Sequence, residues 1–100
     1  MSKVKPYVGI HNDRYGGMTE IGKIIRQAWA FGLIPEHETC EGWLPQGLQD
    51  LWMRVSAEWE KYGFQVGNLP DDIRERFMRI QREAMERARA AGWEPEMDDD

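Results

Sequence analysis

The chain has 100 residues, 41% of them hydrophobic and 31% charged, enough for one domain with its own core and too apolar for a disordered chain. No apolar run approaches the ~20 residues of a membrane helix, residues 1–6 hold no signal-like apolar stretch, and a lone cysteine, Cys40, excludes an internal disulfide; a cytoplasmic location is expected. The net charge is −5, and five acids fall within residues 94–100, so the acidity belongs to a C-terminal tail and the body is neutral.

A single domain over 1–100 is expected. It divides into an extended arm with a Gly-Gly turn (1–17), a helical body (18–92) and an acidic tail (93–100), the last expected to be disordered. In the arm, Val4, Pro6, Val8 and Ile10 alternate with Lys5, Tyr7 and Gly9. This reads as an extended segment or, with Pro6 in it, an edge strand at best. Its expected partners are the Phe64-Gln65-Val66 segment, irregular packing, or a second subunit.

Three helices follow, giving a mainly α fold. The first spans about 20–31, with Thr19 as N-cap and a stripe of Ile21, Ile24, Ile25, Ala28 and Trp29. Gly32 stops it in a Schellman-type cap with Leu33 as the hydrophobic contact. Gly22 weakens this helix, and close approach of another backbone would explain it. The second helix spans about 45–62, starting on Pro45, with Leu48, Leu51, Trp52, Val55, Trp59 and Tyr62 as its stripe. The third spans about 70–91. Asp71 and Asp72 suit its positive start, Asp72 and Glu75 have capping-box spacing, and its stripe is Ile73, Phe77, Ile80, Ala84, Ala88 and Ala91.

Four prolines share the spacing G-x-x-P, at Gly32, Gly42, Gly67 and Gly92. Gly ends helices in the left-handed conformation and Pro soon after cannot continue them. The punctuation therefore reads as helix stopping at Gly67 and Gly92, and as brackets around the loop from Glu36 to Trp43.

That loop and the preceding Gly-Gly turn hold the candidate chemistry. His37 and Cys40 stand three apart among three glutamates, with His11 and Asp13 able to join from the arm. Thiolate, imidazole and carboxylate together can bind metal, but a closed zinc site needs four ligands. The neighbouring acids raise a thiol pKa, which argues against a nucleophile. No cofactor is expected. Residues His11, Arg14, Gly16, Gly17 and Thr19 form a second candidate, a nest of amides and donors for an anion at a helix start. Trp43, Trp93 and Met53 lie at helix boundaries or off the stripes and are the interface or pocket candidates.

The arginines of the third helix, Arg74, Arg76, Arg79, Arg82, Arg87 and Arg89, suggest nucleic acid when taken alone. Acids stand four residues ahead in Asp72–Arg76, Glu75–Arg79 and Glu83–Arg87, a pattern of exposed ion-paired helix instead. Nucleic acid is not an expected partner. Residues 1–34 carry a net +3 and residues 35–62 a net −4, a polarity suited to self-association. With no complete catalytic constellation, the expectation is a small non-catalytic interaction or regulatory protein, a homodimer. The alternative is an anion- or metal-binding protein or minor enzyme using the 11–19 turn and the 36–43 loop. A twelve-residue helix is ~18 Å long, so within one chain those two segments meet only if the arm or loop folds back, whereas across a dimer they could meet.

Overall fold

The computed structural model describes residues 4–94; the acidic tail beyond Glu94, and with it the last G-x-x-P proline, lies outside the described residues. The described residues form three α-helices, α1 (Glu20–Ala30), α2 (Pro45–Glu60) and α3 (Asp71–Ala90), with short 3-10 turns at Ile10–Asn12, Arg14–Gly16 and Val66–Asn68. No strand occurs among the described residues.

The stops of all three helices follow from glycine in the left-handed conformation. At Gly32 (φ 73°), Gly32 N donates to Trp29 O and Leu33 N to Ala28 O, the two bonds of a Schellman motif. The same pair recurs at Gly63, from Gly63 N to Glu60 O and Phe64 N to Trp59 O, and at Gly92, from Gly92 N to Arg89 O and Trp93 N to Ala88 O. Gly67 does not stop a helix; it sits in the 3-10 turn, because Gly63 has already ended α2. Thr19 caps α1 as expected, its Oγ1 accepting from Gly22 N at 3.0 Å. The expected capping box of α3 does not form. Pro70 precedes the helix and Asp72 Oδ1 instead accepts from the adjacent Ile73 N at 2.9 Å.

The helix directions follow from side-chain contacts. Phe31 meets Trp59 edge-on at 5.1 Å and stacks on Tyr62 at 6.4 Å, while Trp59 Nε1 donates to Gln27 Oε1 at 3.0 Å. The C-terminal ends of α1 and α2 are thus together and the two run in the same sense. Arg76, near the start of α3, donates to Ala30 O at the end of α1, and Arg87 lies beside Gly16, which precedes α1. α3 therefore runs antiparallel to α1, which forms the centre of the molecule and packs on both other helices.

This arrangement decides burial. α1 is enclosed from two sides, so Ile25, Ala28, Trp29 and Ala30 are buried, and so is Arg26. α2 packs mainly on α1, and its buried row narrows to Leu51, Val55 and Trp59. Trp52, expected in the core, is half exposed because no other helix covers that flank of α2. Ile21, also expected in the core, is exposed at 37%, since the chain opens into a groove at the start of α1. On α3 the small Ala84 and Ala88 are buried and let the Arg14–Gly16 turn approach closely, whereas Ala91 is exposed.

The ion pairs expected within α3 are replaced by others. Arg79 reaches Glu36 at 2.7 Å and Glu83 at 3.4 Å, and Arg74 pairs with Asp71 at 2.6 Å. Packing against α1 places Arg76 and Arg79 within reach of the α1 C-terminus and the loop after it, where Arg76 donates to Ala30 O and Arg79 to Glu36.

Candidate functional site

The connection between α1 and α2 folds back along the molecule and meets the arm. Tyr7 N donates to Trp43 O and Gly42 N to Tyr7 O, both at 2.8 Å, and Ile10 N donates to Thr39 O at 3.1 Å. The arm thus pairs with residues 39–43. The expected partner at residues 64–66 is instead occupied by its own turn, with Phe64 exposed. The fold-back carries residues 39–43 alongside the arm that leads into the Gly-Gly turn, while Glu36 and Glu38 stay by the C-terminal end of α1, bonded to Arg79 and Trp29.

A polar cluster forms where the arm leads into that turn. Asp13 accepts from the Tyr7 hydroxyl at 2.6 Å, the Thr19 hydroxyl at 2.7 Å and Arg14 N at 2.7 Å. Burial opposes the ionised carboxylate, but those three hydrogen bonds and the nearby Arg14 charge outweigh it and hold Asp13 below its ordinary value of 3.8. The Tyr7 phenol is pushed well above its ordinary value, first by burial and then by its bond to Asp13. Tyr7, Asp13 and Thr19 therefore form a closed network in which each donor has its acceptor.

The candidate anion nest is used internally. Gly16 N donates to Asp13 O, and both Gly17 N and Met18 N donate to Arg14 O. Of the remaining donors, Arg14 N and the Thr19 hydroxyl go to the chain's own Asp13 carboxylate, and His11 is exposed. Gly17 (φ 101°) is needed for packing: a Cβ there would collide with Ile10, and one on Gly22 would collide with the Gly17 carbonyl. This is the close backbone approach that Gly22 signals in the sequence.

His37 and Cys40 are not brought into one coordination sphere. His37 is exposed, whereas Cys40 is fully buried with φ 63°, and its backbone N donates to Glu38 Oε2 at 2.9 Å. Burial and then the Glu38 charge push the thiol from 9.0 up to about 11. Among the described residues no three His, Cys, Asp or Glu side chains gather as a metal site.

Of the interface candidates, Trp43 is half-buried and lines a groove of about 600 Å³. Its walls are Pro6, Tyr7 and Val8 of the arm, Ile21 of α1, and Pro45 and Leu48 of α2. Leu44 and Val8 beside it are each 53% exposed. Trp52, one turn beyond Leu48, continues the same flank of α2. Met53 is exposed on α2, away from that groove's lining, and Trp93 is partly buried against the end of α3.

The residue that the sequence reading passed over is Arg26. It lies four residues from both Gly22 and Ala30, a row of small neighbours that makes a second buried face of α1. The signal was present in that spacing, but the isoleucine stripe dominates the pattern. The described helices include none long and apolar enough to cross a membrane. No family model, curated protein or solved structure matches the chain.

Proposed function

We propose that the protein is a small, non-catalytic, cytoplasmic interaction module that self-associates through the groove lined by Trp43. The observation that carries this reading is the exposed apolar character of the groove: Val8 and Ile21 line it, Leu44 stands in the chain between its lining residues Trp43 and Pro45, and Trp52 follows Leu48 by one turn of α2. Scattered exposed hydrophobics are ordinary, but a contiguous group around a concave surface marks an interaction site. The rim supports a second copy as the occupant. Lys5 lies on the arm side and Glu20 on the α1 side, opposite charges on one rim that a two-fold arrangement can pair between copies.

The chemistry of the neighbouring cluster supports a non-catalytic role. Asp13 is held ionised, while Tyr7 and Cys40 are held protonated far above neutrality. None of the three is poised to exchange a proton at pH 7. Sedimentation equilibrium at micromolar concentration tests the reading. The expected mass is twice that of the 11.7 kDa chain. The paired substitution Val8→Glu with Leu44→Glu, both at exposed positions, should return a folded monomer. A monomeric wild type across that range overturns the proposal.

A further inference from the structure

Arg26 is a buried cation without a counter-charge. It is 5% exposed. Its Nη1 donates to Gly17 O at 2.6 Å, its Nη2 faces only the Met18 sulfur at 3.9 Å, and its Nε is buried with no partner. The ion pairs among the described residues do not include it. A guanidinium does not lose its proton in a protein, so its burial is costly unless an anion approaches. Burial and then the nearby Arg87 both disfavour the charge, and the neighbour that would favour it, the Tyr7 phenol, is itself held protonated and supplies no counter-charge at neutral pH.

Arg26 is one of the residues lining a cavity of about 720 Å³ between the start of α1 and the middle of α3, a volume suited to a small organic molecule. Arg14 and Lys23 also line it, against one acid, Glu20. Phe77 and Ile80 supply an apolar wall and Gln81 a hydrogen-bonding one. This cavity lies on the α3 side of α1, whereas the Trp43 groove lies between the arm, α1 and α2; the two share only Thr19 and Glu20.

We propose that this cavity binds a small organic anion, a carboxylate or phosphate monoester on an apolar body, with Arg26 pairing the anionic group, Arg14 and Lys23 assisting, and Phe77 and Ile80 contacting the apolar part. Guanidinium suits both anions because its parallel N–H groups match two oxygens.

Phenyl phosphate, 3-phenylpropionate and inorganic phosphate serve as probes for calorimetric titration of the full chain. Phenyl phosphate or phenylpropionate should bind one per chain, about tenfold or more tighter than inorganic phosphate because of the apolar wall. Arg26→Met should weaken binding at least about tenfold, while the unliganded protein melts at nearly the same temperature, since removing an uncompensated buried charge offsets the loss of its bond to Gly17 O. A merely structural arginine gives the opposite pattern, a lower melting temperature. Should Arg26→Met not fold, Arg14→Met with Lys23→Met provides the second variant and should also weaken binding. The tail acids are separated from the ligand by a full-length variant carrying Glu96→Gln, Asp98→Asn, Asp99→Asn and Asp100→Asn. Probe binding only in that variant still supports the cavity as an anion site, filled by the tail in the wild type. No saturable binding in either background, or binding indifferent to both sets of substitutions, overturns the proposal. Oligomeric state is read separately, so failure here leaves the self-association reading standing.

Discussion

Replacing Gly22 with alanine sets two well-understood effects against each other. Alanine is the better helix former by about 1 kcal/mol in a helix interior, and Gly22 lies in α1. On local propensity alone the substitution stabilises. The tertiary structure reverses the sign. A Cβ on Gly22 would lie 2.7 Å from the Gly17 carbonyl carbon and 3.0 Å from its Cα, and closer still to the oxygen. These are backbone atoms, so no side-chain rotation relieves the overlap. Overpacking of this kind costs about 1–3 kcal/mol. Moving the Gly17 carbonyl also disturbs the bond it accepts from Arg26, and a hydrogen bond to a charged group contributes about 1.5–3 kcal/mol. With the propensity gain subtracted, the net loss is about 1.5–5 kcal/mol. For a domain of this size that lowers the melting temperature by about 7–24 °C. Urea and thermal denaturation followed by circular dichroism measure it. A Gly22→Ala protein as stable as the wild type, or more so, would refute the close packing of the Gly-Gly turn on α1.

Asp13→Ala removes the acceptor shared by Tyr7 and Thr19 and should cost about 2–3 kcal/mol, with Asp13→Asn losing less; denaturant titration distinguishes them. Because the folded-state value of Asp13 is held below 3.8, its contribution is present above that pH and is lost as pH falls through the lower folded value. The gap between wild type and Asp13→Asn should therefore close in acid. Tyr7 and Cys40 act in the other direction, their folded values being raised; their contribution holds below the unfolded values and falls away as pH climbs past them, so stability should decline above about pH 9. The Cys40 thiol should resist a disulfide reagent at pH 8 in the native protein and react on unfolding, and rapid native labelling would contradict its burial. Arg76→Met removes the bond to Ala30 O and should cost about 1–2 kcal/mol, seen as a lower denaturation midpoint.

Helix starts and stops were legible because the interactions that make them span only a few residues. Thr19 caps a site three residues on, and Gly32 closes a motif over six. The close approach at Gly22 was legible as a cost without a local purpose. Gly67 carries no helix stop because Gly63, where the apolar stripe of the second helix already ends, makes the Schellman turn. The Tyr7–Asp13–Thr19 network was hidden because an alternating arm gives no sign of which residue turns inward.

What remained undecided until the helices were assembled concerns which faces meet. Helical periodicity shows that α2 has an apolar stripe, but the width of the buried row depends on how many neighbours cover it. With α1 as the principal neighbour, Trp52 is left half exposed. The same geometry encloses α1 from two sides and buries Arg26 with its charge unpaired. Local sequence carries the energetics of caps and turns, which are satisfied within a few residues. The pairing of the arm with residues 39–43, the covered face of α1 and the two cavities depend on contacts between segments far apart in the chain, and only their packing against one another settles those.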